Sequence, residues 1–89
     1  MTDIRIAGSR EALDYFENII REMLFLFPIT RSEATGRLNR FWAGHDFTGE
    51  LAVNLLRHEL PNYWAKTIYY GRNVRWWKGE GGLEPDPYP

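Results

Sequence analysis

The feature that most constrains this chain is an amphipathic stretch from Arg10 to Phe27, which Ser9 can cap and which Pro28 ends. Apolar side chains recur along it at helical spacing, at Leu13, Phe16, Ile20, Met23, Leu24 and Phe27. A second apolar line runs through Ala12, Tyr15, Ile19 and Leu26. So wide an apolar face predicts either a central helix packed on two sides or a contact between copies of the chain.

A second helix is predicted from Arg31 to Trp42, because Thr30 and Glu33 form a capping-box pattern in front of it. In that pattern the Thr30 hydroxyl meets the Glu33 amide and the Glu33 carboxylate reaches back to Thr30. Gly44 is the expected stop.

A third helix is predicted to end at Leu60, since the residue before Pro61 is disfavoured in the helical region. Asp46 or Thr48 is the expected cap of this helix. Its apolar stripe consists of Leu51, Ala52, Leu55, Leu56 and Leu60. Pro61 can serve as the first residue of a fourth helix, for which Gly71 is the natural stop.

The stretch from Lys66 to Lys78 allows two interpretations. Its β-prone residues flank a glycine, which would suit a short hairpin, but Trp64 and Ile68 at i and i+4 favour a helix to Tyr70. The prediction is a mainly α domain over residues 1–78, a small orthogonal bundle of three to four helices with a possible short C-terminal β-hairpin. Residues 79–89 are expected to form a flexible, extended Gly- and Pro-rich tail, either frayed, laid back over the domain, or a ligand for an aromatic groove.

Composition excludes several classes of protein. The 89 residues include no cysteine, which rules out disulfides and thiolate metal sites and fits a reducing compartment, so the cytoplasm is the expected location. The N-terminus lacks the pattern of a secretory signal, and the longest apolar run, Met23 to Ile29, is far shorter than the roughly 20 residues of a membrane span. The net charge of −1 gives no overall attraction to nucleic acid or to anionic lipid.

Catalysis is the least supported class. Two His-acid pairs, His45 with Asp46 and His58 with Glu59, are the candidates for a metal-dependent enzyme. Neighbouring residues on a helix point apart, however, and the spacing matches no metal-binding motif. We therefore expect no catalytic residue, cofactor or metal.

Nucleic-acid binding is the first alternative, because the second and third predicted helices and their glycine-containing turn imitate a helix-turn-helix. Arg31, Arg37 and Arg40 would be the phosphate contacts. The imitation is imperfect, since the third helix carries Glu50 and Glu59 where a basic surface is needed.

The interpretation that remains rests on the aromatic segment after Pro61. Most of its rings are expected to close a small core, but adjacent pairs cannot all face inward, so at least one ring should stay exposed. The candidate partner-binding residues are Tyr69, Tyr70, Arg72, Arg75, Trp76 and Trp77. Aromatic rings beside arginines are typical of protein interfaces, although a sugar- or base-stacking platform has the same composition. The prediction is a small non-enzymatic protein-interaction domain, an accessory, regulatory or inhibitory factor that binds another protein or itself as a homodimer.

Overall fold

The computed structural model describes residues 3–72, 74–78 and 83–89, and their regular structure is mainly helical. The described elements are β1 (Ala7–Gly8), α1 (Arg10–Leu26), α2 (Arg31–Phe41), β2 (Asp46–Phe47), α3 (Glu50–Arg57), α4 (Pro61–Tyr70) and a 3₁₀ helix (Trp76–Lys78). The predicted mainly α class is confirmed, and the described residues contain four α-helices and one small sheet. The orthogonal arrangement of the helices stays a prediction.

Helix α1 is the centre of the fold, because it packs against each of the other three helices. Its predicted cap is present: the Ser9 hydroxyl accepts a hydrogen bond from the Ala12 amide at 3.2 Å. The buried residues of the helix are Ala12, Phe16, Ile19, Ile20 and Met23. Tyr15 and Leu26, on the second apolar line, pack partly buried against the core. Most of the wide apolar face is therefore covered within the chain, as expected of a helix packed on more than one side, and Leu24 of its first line is exposed.

Helix α2 begins where the capping pattern placed it. The Thr30 hydroxyl accepts a hydrogen bond from the Glu33 amide at 3.1 Å. The other half of the predicted capping box is wrong, because the Glu33 carboxylate accepts a hydrogen bond from Arg37 Nε at 2.8 Å instead of turning back to Thr30. An ion pair between charged groups on one helical face has displaced the weaker bond to a backbone amide.

The start of α3 also corrects the sequence interpretation. Gly49 is its N-cap and makes no side-chain capping bond, so neither Asp46 nor Thr48 caps the helix. Asp46 instead closes a local turn, in which its Oδ1 accepts from the Thr48 amide at 2.8 Å and from the Thr48 hydroxyl at 2.6 Å. Asp46 is also the first residue of strand β2, which pairs in parallel with β1 in the register Ala7 to Asp46 and Gly8 to Phe47.

The boundary between α3 and α4 follows from Pro61. Helix α3 ends at Arg57, three residues before the predicted Leu60. Leu60 is extended (ψ 156°) and is the N-cap of α4, which agrees with the restriction that proline places on its predecessor. The predicted stop is confirmed as well, because Gly71 has φ 103° and its amide donates to the Thr67 carbonyl.

The alternative hairpin is not formed by the described part of Lys66 to Lys78. The segment before Gly71 belongs to α4, and Trp76–Lys78 is a 3₁₀ helix. Within residues 83–89, Asp86, Pro87 and Tyr88 lie against α2 and the end of α4. The Asp86 amide donates to the Tyr69 carbonyl at 2.8 Å. The glycine-rich link that was predicted to be flexible, residues 79–82, lies outside the described residues.

Candidate protein interface

Helix α3 exposes two leucines one turn apart. Leu51 is 75% exposed and Leu55 64% exposed, whereas Val53 and Leu56 of the same helix are buried. The sequence analysis put Leu51, Leu55 and Leu56 in one apolar stripe. The structure divides that stripe, because the helix turns its Val53 and Leu56 side to the core. An eight-residue helix packed on one side cannot bury apolar residues all round its axis.

A shallow hollow adjoins Leu55. Its volume is about 250 Å³, and aliphatic and aromatic side chains from α2, β2, α3 and α4 make up most of its wall. The residues that line it are Trp42, His45, Asp46, Phe47, Ala52, Leu55, Leu56 and Trp64. The fixed indoles give this hollow a rigid floor, since the Trp64 Nε1 donates to the Leu56 carbonyl at 2.8 Å and its ring lies 5.2 Å from that of Trp42.

Aromatic rings continue from this hollow to the end of the described 3₁₀ helix. Trp64 meets Tyr63 edge to face at 5.4 Å, and Tyr63 in turn lies 5.6 Å from Trp76 and 6.4 Å from Trp77. Trp77 is 54% exposed. We call Leu51, Leu55, Trp64, Tyr63 and Trp77 the leucine–aromatic surface. It joins two exposed leucines to an exposed indole through half-buried rings.

Three of the six predicted partner-binding residues make contacts with Phe27 and Phe41 inside the chain. Tyr69 stacks on Phe27 with ring centroids 3.7 Å apart, and Tyr70 meets the same ring edge to face. The Arg72 guanidinium lies 3.9 Å from the Phe41 ring centroid and donates to the Phe41 carbonyl. These three residues are therefore engaged with α2 and with the segment that precedes it.

Two of the other three residues, Trp76 and Trp77, lie beside the Tyr63 ring, and Arg75 precedes them in the chain. Trp76 is half-buried, and its indole nitrogen donates to the Thr67 hydroxyl at 3.1 Å. The Lys66 ammonium lies 4.9 Å from the centroid of the same ring. Arg75 and Trp77 are exposed. Of the six predicted residues, only Trp77 belongs to the leucine–aromatic surface.

The three arginines considered for nucleic-acid binding all have partners inside the chain. Arg31 pairs with Glu17 at 2.8 Å. Arg37 is 4% exposed and pairs with Glu33. Arg40 pairs with Asp86 at 3.2 Å. They therefore form ion pairs along and beside α2, and one of them is almost wholly buried.

The two His-acid pairs have separate surroundings. His45 stacks on Phe47 with centroids 6.3 Å apart, and Asp46 is held by Thr48. The hydroxyl and the amide of Thr48 keep the pKa of Asp46 below its ordinary value. Within the part of the chain that the structure describes, no three His, Asp or Glu side chains converge as a metal site would require.

Glu59 contributes its backbone to a contact with α1. Its carbonyl accepts a hydrogen bond from the Tyr15 hydroxyl. Burial raises the pKa of this hydroxyl, the Arg57 charge opposes that rise, and the Glu59 carboxylate adds to it. The contact ties the connection between α3 and α4 to the central helix.

Comparison of the chain with protein-family models, with curated proteins and with solved structures found no match. None of the helices in residues 3–72, 74–78 and 83–89 has the length and apolar character needed to cross a membrane. The functional conclusion therefore depends on the surface itself.

Proposed function

We propose that this protein is a small non-enzymatic protein-interaction domain, an accessory, regulatory or inhibitory factor that contacts its partner through the leucine–aromatic surface. The observation that carries the proposal is the exposure of Leu51 and Leu55, 75% and 64%, beside a row of aromatic rings. Contiguous exposed apolar groups mark interaction sites in soluble proteins, whereas single exposed apolar residues do not. We place the protein in the cytoplasm on the strength of its cysteine-free composition.

The surface has the parts that a protein contact needs. The hollow beside Leu55 can receive one apolar side chain of a partner, and its indole floor is held by a hydrogen bond and by packing. Trp77 provides an exposed aromatic anchor, and the Lys66 ammonium lies over the ring of the neighbouring Trp76. Aromatic anchors with a polar rim are typical of the residues that dominate binding energy at interfaces.

The same observations argue against the nucleic-acid alternative. The second helix of a helix-turn-helix presents its outward side to the groove of DNA, and here the outward side of α3 carries Leu51 and Leu55. Arg37, which would be a phosphate contact, is 4% exposed. We therefore favour a protein partner, either another protein or a second copy of the chain.

The proposal is tested by replacing both leucines with glutamine. Leu51→Gln/Leu55→Gln removes the apolar groups while the helix propensity stays almost unchanged and no charge is added. The matched control is Phe25→Gln, since Phe25 is 83% exposed on α1. Wild-type and variant chains carrying an affinity tag are purified from the native host, bound proteins are quantified, and the mass of each purified chain is measured by light scattering.

We expect the wild type and Phe25→Gln to recover a partner or to self-associate, and the double variant to lose that contact while it keeps the helical circular dichroism of the wild type. Partner recovery or self-association equal in the wild type and the double variant would contradict the proposal. So would a wild-type monomer that recovers no partner.

A further inference from the structure

A second surface, lined by residues of α2 and of the end of α4, holds the end of the chain in a groove. We call Arg37, Arg40 and Arg72 the arginine groove, since the three side chains share the wall of one hollow of about 380 Å³ next to Asp86. We call residues 83–89 the tail segment. This surface is separate from the leucine–aromatic surface, and the inference drawn from it does not depend on the proposed function.

The tail segment is held mainly through its backbone. The Asp86 amide donates to the Tyr69 carbonyl at 2.8 Å, and the Asp86 carbonyl accepts from Arg37 Nη1 at 2.7 Å. The Pro87 carbonyl accepts from Arg40 Nη1 at 2.9 Å. Bonds to successive backbone groups are how a groove grips an extended peptide, whatever its sequence.

Arg37 gives the groove a fixed donor. The side chain is 4% exposed, and its Nε is held by Glu33 at 2.8 Å while Nη1 reaches both Tyr69 and the tail. A buried guanidinium whose other donor is already paired loses little freedom when a ligand binds. The bonds to Glu33 and to the Tyr69 carbonyl hold this guanidinium through groups that lie outside the tail segment.

Two side chains of the tail segment add specificity. The Asp86 carboxylate pairs with Arg40 Nη2 at 3.2 Å. The Tyr88 ring lies 5.3 Å from the Arg37 guanidinium and 5.2 Å from that of Arg40, in the geometry of a cation–π contact with each. The ring also covers Gly36, where a Cβ atom would overlap the Tyr88 hydroxyl.

The prolines of the tail segment suit this mode of binding. Pro85, Pro87 and Pro89 alternate with Asp86 and Tyr88, so the two residues that make specific contacts are separated by residues that favour an extended backbone. Pro87 has no amide hydrogen to satisfy, and its carbonyl is the group that the groove uses. The groove recognises a proline-flanked pattern of an acidic residue followed by an aromatic one.

The charge around the groove is only partly balanced. Three arginines line the hollow, and the carboxylates paired with them are Glu33 and Asp86. Arg72 donates to the Phe41 carbonyl and lies over the Phe41 ring. The positive charge of Arg72 thus lies on the wall of the same hollow as Asp86.

We propose that the arginine groove is a binding site for an extended, acidic, proline-flanked peptide, and that the tail segment occupies it as an intramolecular ligand. A partner segment of the same chemistry must displace the tail. A tethered ligand competes at an effective concentration on the order of millimolar. A partner segment must therefore bind the groove more tightly than the tail does, or be present at a comparable concentration, to displace it.

The test uses full-length chains and a fluorescent peptide with the sequence of residues 83–89. In Asp86→Ala/Tyr88→Ala the competing tail is disabled in its side-chain contacts with Arg37 and Arg40, although its backbone bonds remain. We expect this variant to bind the peptide about tenfold more tightly than the wild type, measured by fluorescence anisotropy. Adding Arg40→Ala should weaken that binding at least fivefold. Adding Arg21→Ala, which removes an exposed arginine on α1, should leave it unchanged.

Equal binding to the wild type and to the variant with the disabled tail would overturn the proposal, and so would an equal effect of Arg40→Ala and Arg21→Ala. Lack of binding to that variant at millimolar peptide would overturn it as well. Should the variant fail to fold, displacement of the tail is tested by NMR on wild-type protein labelled with ¹⁵N. An excess of unlabelled peptide should move the Asp86 amide resonance towards its position in the free peptide, and no movement would overturn the proposal.

Discussion

The contact between Tyr88 and Gly36 allows one stability prediction to be worked out closely. Gly36 lies inside α2, where glycine is about 1 kcal/mol less favourable than alanine. Gly36→Ala should therefore stabilise an isolated helix. In this protein the new methyl group would occupy the position of the Tyr88 hydroxyl, so the ring must leave its place between Arg37 and Arg40.

The expected change in the free energy of unfolding follows from the contacts that the Tyr88 ring loses. Two cation–π contacts at partly exposed sites contribute about 0.5–1 kcal/mol each, so displacement of Tyr88 costs about 1–2 kcal/mol. In the wild-type background this loss offsets the gain in helix propensity, and Gly36→Ala should be neutral or destabilising by about 1 kcal/mol. In a Tyr88→Ala background nothing has to move, and the same substitution should stabilise by about 1 kcal/mol.

The assay is urea unfolding of four full-length proteins: wild type, the two single variants and the double variant. With an m value of roughly 1 kcal/mol/M for so small a domain, Gly36→Ala should raise the unfolding midpoint by about 1 M in the Tyr88→Ala background and should not raise it in the wild type. An equal rise in both backgrounds would show that Tyr88 does not rest on Gly36 in solution. The reasoning about the tail segment would then be refuted.

Three further predictions concern the helical domain. Tyr15→Phe deletes the hydrogen bond to the Glu59 carbonyl and should cost about 0.5–1.5 kcal/mol by urea unfolding. The fold raises the pKa of Tyr15, so this residue stabilises the protein fully below its pKa in the unfolded chain, near 10. The stabilisation is lost as the pH rises through the pKa of Tyr15 in the folded protein. The free energy of unfolding of Tyr15→Phe should therefore fall less at alkaline pH than that of the wild type. The pKa of Asp46, measured by ¹³C NMR, should lie below about 3.9 and should rise in Thr48→Val; an unchanged pKa would contradict the role of the Thr48 hydroxyl. The ionised Asp46 should stabilise the fold above the pKa of the unfolded chain, and this stabilisation should be lost as the pH falls through the pKa of Asp46 in the folded protein. Phe16→Ala should cost about 3–5 kcal/mol because Phe16 is fully buried, and a variant with wild-type stability would contradict its place in the core.

Local chemistry is what made the helices predictable. Thr30, Pro61 and Gly71 act through their own backbone geometry or through bonds to residues within one turn, so each marks a boundary without knowledge of the rest of the fold. The boundaries that were wrong depend on other contacts. Asp46 lies in strand β2 and pairs with Ala7, far earlier in the chain, and strands of two residues leave no periodic pattern in a sequence.

The candidate site was harder to predict, because exposure depends on which side of a helix meets the core. The pattern identified α3 as apolar but could not show that Leu56 turns inward and Leu51 and Leu55 turn out. It also singled out Tyr69 and Tyr70 as surplus rings. Both find a partner in Phe27, more than forty residues away, and contacts at that separation are set by the whole fold.

A photoreactive amino acid at Leu55, introduced into the full chain in its native host, tests the central claim most directly. The claim predicts a covalent adduct of defined mass with one protein, either a second copy of the chain or another protein. It predicts no such adduct when the same group replaces Phe25, which is still more exposed than Leu55. Absence of any adduct at Leu55, or the same adducts at both positions, would contradict the assignment of the leucine–aromatic surface as the site of protein contact.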